Sequence, residues 1–216
     1  MSPADDGTAH PVDRRTEVLD HARHVIMRDG LSTTSLRRIS REGGYTTGVL
    51  SHYFADKREL ISTCFEWTMT NWLDRAESEL ADAPTAEESV RTYVRIAIPH
   101  APERQAEWRV WLDFCVSAVG DAELAEVLLR GDGRWDAATA RALARWQDAG
   151  LVRSELPVAE HAATLVRLVD GLGLRSLLTG DWDAARRGFV DLLRMLGLSD
   201  ELAAAALEPP PAGAGA

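Results

Sequence analysis

Lysine is all but missing from the 216 residues: Lys57 stands alone beside 23 arginines. With the abundance of alanine this reads as a GC-biased coding sequence, and the arginine count by itself carries no mechanism. Cysteine is scarce too. Cys64 and Cys115 each sit inside an apolar helical pattern with no zinc-type or redox-type spacing, which leaves two reduced core thiols. No run approaches the roughly 18 apolar residues of a membrane span, and the opening MSPADDGTAHPVD has no apolar signal core. Cytoplasmic residence with no membrane partner is expected. No alternating strand pattern and no internal repeat occurs. Catalytic signatures are also missing: there is no Gly-x-Ser-x-Gly, no His-Glu-x-x-His and no phosphate-binding glycine loop. His21 and His24 lie three apart, but no third histidine or carboxylate pair completes a ligand set with them. No catalytic residue, metal or cofactor is therefore expected.

What is present is helical periodicity almost from end to end. Val18, Ala22, Val25 and Ile26 recur at i, i+4, i+7 and i+8 in a helix over about 13–29, which Gly30 stops. Thr34 or Ser35 can cap a short helix with Leu36 and Ile39 inward and Gly43-Gly44 at its end. Thr46 can cap another over TGVLSHYF, and Asp56 a long one from Lys57 to about Leu80. Further helices are predicted over about 86–98, 103–119, 121–149, 158–179 and 183–197, the one from 121 loosened at Gly131-Asp132-Gly133. The expected fold is all-α with about nine helices. Residues 1–12 and 199–216 read as flexible tails, the second ending in the low-complexity EPPPAGAGA.

Net charge is −10, unevenly spread. Residues 14–62 hold nine basic and six acidic side chains, a net +3, whereas residues 63–216 are net −10. A mildly basic head on an acidic body suits nucleic-acid binding by the head alone. Within that head, Gly43-Gly44-Tyr45-Thr46 joins two short helices as in a helix-turn-helix. A seven-residue helix is about 10 Å long and fits a DNA major groove about 12 Å wide. Such a helix needs one apolar side, here Leu50 and Phe54, to hold it to its own core. Its other sides must be short or polar so that the backbone approaches the bases. Thr46, Thr47, Gly48, Val49, Ser51, His52 and Tyr53 meet that need. Lys57 and Arg58 add cations at the next helix start, and Arg37 and Arg38 on the preceding helix reach toward phosphate or a guanine edge. The bland alternative is a solvated short helix. Arg14 and Arg15 read either as a phosphate or minor-groove arm or as a solvated basic start.

The ordered set Ala22, Gly30-Leu31, Thr33-Thr34-Ser35-Leu36-Arg37-Arg38-Ile39, Gly44-Tyr45-Thr46-Thr47-Gly48-Val49-Leu50, Tyr53-Phe54, Asp56-Lys57 and Leu60 resembles the tetracycline-repressor (TetR) family of transcriptional regulators. The version TTGVLSHYFADK is most similar to the branch of betaine-synthesis repressors. Most of the family has a tyrosine where this chain has Ser51, so Ser51 and His52 divide its work. The resemblance implies a helix-turn-helix DNA-binding domain over 13–62 that binds a double-stranded operator, with Ser35 among its contacts. It implies an effector-binding and dimerisation domain over 63–198. Repression, relieved by a small molecule of unknown identity, is the family's common case.

The same resemblance implies a homodimer formed by the last two long helices. Leu165, Val169 and Leu172 on one apolar stripe, and Phe189, Leu193 and Leu196 on the other, are the expected contacts. An internal core is the alternative use of these stripes. Gly171 and Gly173, costly inside a helix, suit a close helix approach. Family analogy places the effector among the helices of the body, where Trp67, Tyr93, Trp108, Trp111, Phe114 and Cys115 are candidate lining residues. Aromatic rings with a carboxylate such as Asp113 or Asp170 suit a choline-like or polyamine cation; tryptophans at helical spacing serve more often as core or interface, and an apolar ligand of unknown identity, or no effector, are the other readings. An all-helical enzyme lacks its motifs, and an architectural DNA binder without an effector lacks the basic composition.

Overall fold

The structure, a computed structural model, describes residues 11–31 and 33–209, less the side chains of Pro11–Asp13 and Thr47. Among the described residues there are ten α-helices and no strand: α1 (Pro11–Asp29), α2 (Leu36–Glu42), α3 (Thr47–Tyr53), α4 (Lys57–Ala81), α5 (Ala86–Ala97), α6 (Pro102–Ala118), α7 (Ala122–Asp148), α8 (Val158–Thr179), α9 (Trp182–Met195) and α10 (Asp200–Leu207). The chain divides into two compact units, Met1–Met69 and Thr70–Ala216, the division falling inside α4.

The first unit is a small head. Val18, Leu19, Ala22, Val25 and Ile26 of α1 bury one face, and Ile39, Leu50, Phe54, Leu60, Cys64 and Phe65 complete its apolar interior. Asp56 starts α4 by accepting the N–H of Glu59 at 2.9 Å, while the Glu59 carboxylate reaches back to the N–H of Ala55 at 2.6 Å. Such reciprocal capping satisfies donors that a helix start leaves open.

The second unit is built around α5, α7, α8 and α9. Val90, Tyr93, Val94, Leu143, Trp146, Val169, Phe189, Val190 and Leu193 fill its centre. Ion pairs bind the C-terminal half of α4 to this body: Arg134 to Asp74 (2.6 Å) and Glu77 (2.9 Å), Arg104 to Glu79 (3.0 Å) and Arg75 to Glu107 (3.1 Å). Arg145 also donates to the carbonyls of Leu80 and Ala83.

Three expectations change. The helix from 121 is not loosened at Gly131-Asp132-Gly133. Val127 on one side and Trp135 and Ala138 on the other are buried on a continuous face, and that burial outweighs about 1 kcal/mol per glycine. The flexible tail from 199 is, up to Leu207, the tenth helix. Ser199 caps it by accepting the N–H of Leu202, and Leu202, Ala203 and Ala206 are buried against α5 and α9. At the other end, Pro11 and Val12 belong to α1 and not to a tail. Residues 1–10 and 210–216 of the two expected tails lie outside the described residues.

Candidate nucleic-acid interface and effector region

Both glycines of the turn between α2 and α3 are needed. Gly44 has φ +67°, a left-handed conformation that side chains resist. A β-carbon on Gly43 would stand 2.3 Å from the Tyr45 ring. The turn closes with the Tyr45 N–H donating to the Ser40 carbonyl at 2.8 Å. Helix α3 then emerges with Leu50 fully buried and Phe54 1% exposed, and with Gly48, Ser51 and His52 exposed on its other sides. Val49 and Tyr53 are half-buried, and the His52 ring meets the Tyr53 ring edge-on at 4.9 Å. Thr46 holds the N-cap position and is exposed, but its hydroxyl makes no capping bond. The side chain of Thr47 lies outside the described residues. Ser35 is the N-cap of α2, its hydroxyl accepting the Arg38 N–H at 3.3 Å. Lys57 is half-buried at the start of α4.

The two adjacent arginines of α2 behave differently. Arg37 is exposed. Arg38 is tied to Asp29 at 2.9 Å and to Glu42 at 3.3 Å, and Arg28 meets the same two carboxylates at 2.6 and 2.5 Å. Hydrogen bonds from Arg28 first, then the charge of Arg38, hold the Asp29 and Glu42 carboxyls below the ordinary carboxylate range. This network joins the end of α1 to α2, so Arg38 is committed within the head.

In the second unit the expected lining residues separate into two groups. Tyr93 is fully buried: it stacks on Trp135 at 5.4 Å, meets Trp146 edge-on at 5.5 Å, and its hydroxyl pairs with Thr139 at 2.8 Å. It is a core residue and offers no surface to a ligand. Phe114 is likewise buried. Trp108 and Trp111 are half-buried and meet edge-on at 5.2 Å, with Trp182 behind Trp108 at 6.3 Å. Trp67 lies half-buried in the first-unit part of α4. Cys115 is half-buried, and burial first, then the charges of Asp132 and Asp170, push its thiol up to about 12. Cys64, hydrogen-bonded to the Leu19 carbonyl, is also pushed up to about 12 by burial. Neither thiol is poised to react.

Asp170, one of the two candidate effector carboxylates, stands in an acidic neighbourhood. Asp170 of α8 is pushed up to about 7 by burial, then by Asp132 and Asp136 of α7. Burial, then Asp136, also raises Asp132. Asp170 thus feels the charges of Asp132 and Asp136 from α7, with Arg167 of its own helix opposing them. The i, i+4 spacing of Asp132 and Asp136 is the signal that put them on one side of α7. Among the described residues no group of three or more His, Cys, Asp or Glu side chains is arranged to hold a metal ion.

The expected dimer contacts Leu165, Val169, Phe189, Leu193 and Leu196 are buried within the chain's own core, so they offer no surface to a second copy. Leu172 is half-buried. The apolar groups that α8 and α9 leave outside are Leu168, Leu174, Leu178 and Met195, the last two 76% and 71% exposed. Gly171 faces open space on that side, whereas Gly173 lies beneath the Trp108 ring.

A helix-turn-helix head carried on α4, which continues into a larger all-helical body, defines a DNA-binding transcriptional regulator. A model described as "Bacterial regulatory proteins, tetR family" matches residues 18–64, and one described as "BetI-type transcriptional repressor, C-terminal" matches residues 86–193, half of the chain. The chain belongs to the TetR family, with a BetI-type C-terminal region. The HTH-type transcriptional regulator BetI of Cronobacter sakazakii is 27% identical over 174 residues, spanning 77% of this chain and 81% of that protein. A transcriptional regulator from Saccharomonospora viridis, solved in complex with choline, superposes with a TM-score of 0.76 at 24% identity, over 85% of this chain and 96% of that one. The regulator FadR from Bacillus subtilis, solved with stearoyl-CoA, gives 0.68 at 18% identity, over 82% and 96%. No helix among the described residues is long and apolar enough to cross a membrane.

Proposed function

We propose that this regulator is a cytoplasmic homodimeric repressor that leaves its operator when a small organic cation binds in the second unit. What supports the ligand class is the acidic surroundings of Asp170, half-buried on α8, where the charges of Asp132 and Asp136 on α7 outweigh that of Arg167. Carboxylates brought together in a half-buried place are unfavourable, and Arg167 of α8 offsets that only in part. A quaternary ammonium or polyamine supplies further positive charge, and rings such as Trp111 and Trp108 supply cation–π contact. The choline found in the Saccharomonospora viridis regulator supports the same class. An acyl-CoA, as in the Bacillus subtilis regulator, brings negative charge and fits an acidic lining poorly.

Operator contact falls to the exposed side of α3, with Thr46, Gly48, Ser51 and His52 toward the bases, Tyr53 and Lys57 toward phosphate, and Arg37 beside them. Val49 and Ser35 complete the proposed contacts, and Thr47, the first residue of α3, is assigned to them from its place in the sequence. The second copy seats on the outer sides of α8 and α9, around Leu168, Gly171, Leu172, Leu178, Leu192 and Met195. Small residues there allow close helix approach. The deciding experiment is fluorescence anisotropy with duplexes from the protein's own promoter region across a salt series, repeated with choline and with spermidine. Tight binding to one near-palindromic duplex that either cation reverses supports the reading. Binding that only an anionic or apolar ligand reverses overturns the cation assignment.

A further inference from the structure

Two consecutive arginines near the start of α1 stand over the two rings that bracket α3. The Arg14 guanidinium carbon lies 5.5 Å from the centre of the Tyr45 ring, and that of Arg15 lies 5.2 Å from the centre of the Phe54 ring. Tyr45 immediately precedes the N-cap of α3, and Phe54 is its C-cap, with the Phe54 N–H donating to the Leu50 carbonyl at 2.9 Å. The Tyr45 ring has little freedom. It presses on Gly43, where no β-carbon fits, and meets the His21 ring edge-on at 5.6 Å. Phe54 is anchored in the core of the head. Phe54 is buried and Tyr45 half-buried, and the two rings bracket both ends of α3.

We infer that Arg14 and Arg15 are positioning residues for operator recognition, acting through the rings of Tyr45 and Phe54 to set the angle of α3 and not as phosphate ligands. A flat guanidinium over an aromatic face is held by charge–quadrupole attraction and by plane-to-plane packing, which a rounded ammonium reproduces only in part. Successive residues on α1 point about 100° apart, so one helix turn reaches both rings. Moving α3 by an ångström at either end displaces Gly48, Ser51 and His52 together, and sequence preference changes with them.

The test is a double-mutant cycle on the full-length protein with the duplex it binds most tightly. Arg14→Ala, Tyr45→Leu and the double variant are titrated across a salt series, with active fraction set by stoichiometric titration. The clamp predicts a loss of about two- to fivefold in operator Kd for Arg14→Ala. It predicts an unchanged salt slope, a reduced ratio of operator to scrambled-duplex affinity, and no further loss when Arg14→Ala is added to Tyr45→Leu. Arg15→Ala behaves as Arg14→Ala does. A phosphate ligand instead lowers the slope by about one per contact, additively with the ring substitution, and that result overturns the clamp, as does an unchanged Kd. If Tyr45→Leu fails to fold, Arg14→Lys decides the matter. The clamp gives a weakened Kd at full slope, while wild-type affinity with Lys marks a simple cationic contact and refutes it. A role in stability alone lowers the melting temperature without moving the affinity ratio, and refutes it equally.

Discussion

Trp108 lies across Gly173: a β-carbon on that glycine would stand 2.2 Å from Cζ3 of the indole and 2.5 Å from Cε3 and Cη2. The indole is braced by Trp111 and Trp182, so it has no simple way to retreat. Gly173→Ala therefore loses about 1–3 kcal/mol to overpacking, although alanine is intrinsically better in a helix by about 1 kcal/mol. Gly171, two residues earlier, faces open space, and Gly171→Ala is neutral or stabilising in the isolated chain. Thermal unfolding of the pair, with tryptophan emission as the probe, separates the two positions. Equal melting temperatures would contradict the packing of Trp108 on α8.

The outer side of α8 and α9 gives the second prediction. Leu168→Glu with Leu178→Glu places charge on side chains 42% and 76% exposed in the single chain, so the fold survives. Sedimentation is expected to show a dimer for the parent and a monomer for the double variant, at equal helicity. Leu193→Ala, by contrast, empties a fully buried position and costs about 2–5 kcal/mol of stability. A double variant that stays dimeric moves the interface elsewhere.

These two cases also mark where the sequence stopped being legible. The periodicity of Leu165, Val169, Phe189 and Leu193 predicts buried faces, and the faces are buried. Periodicity carries no information on whether a neighbour in the same chain or a second copy does the covering. The side facing out is written in the gaps, at Leu168, Gly171 and Leu178, which a search for unbroken apolar stripes passes over. The head is easier to read because its signals are local: Gly43-Gly44 for the turn, Ser35 and Asp56 for caps, Leu50 and Phe54 for the anchor. Asp170 is legible as a candidate effector carboxylate, yet the charges of Asp132 and Asp136 that act on it come from another helix, which no local signal pairs with α8. Helix α10 is not legible in the sequence: its alanines form a helix readily, but no wide apolar stripe advertises its burial.

Arg37 and Arg38 are neighbours with opposite fates. Arg38→Ala removes one of the two arginines that join Asp29 to Glu42, Arg28 keeping the other links, so it modestly lowers the stability of the head while leaving the salt dependence of operator binding intact. Arg37→Ala leaves stability unchanged and weakens operator binding by about 1–3 kcal/mol if it reads a base, with relaxed preference at one position. Melting curves beside anisotropy titrations on both variants check this. A flatter salt slope for Arg38→Ala would mean that its ion pairs open on DNA.

With the proposed cation site at Asp170, whose carboxyl is pushed up to about 7, effector binding is expected to depend on pH. A cation prefers the ionised form, so below about pH 7 binding must first release a proton. Affinity for choline or spermidine is expected to be highest above pH 8. It falls as pH drops through 7, approaching about tenfold per unit for one linked proton. Asp170→Asn abolishes that dependence and weakens the cation by about tenfold or more through the lost charge. Stability has a related signature. A folded-state pKa raised above the ordinary 3.8 contributes stability below pH 4 that is lost as pH rises through 7. Asp170→Asn therefore raises the melting temperature of the ligand-free protein, with a gain that grows from pH 4 to 7 and then levels off. Calorimetric titration at pH 6, 7 and 8 together with melting curves from pH 4 to 8 measures both effects. A pH-independent affinity in the parent protein would place the cation away from Asp170.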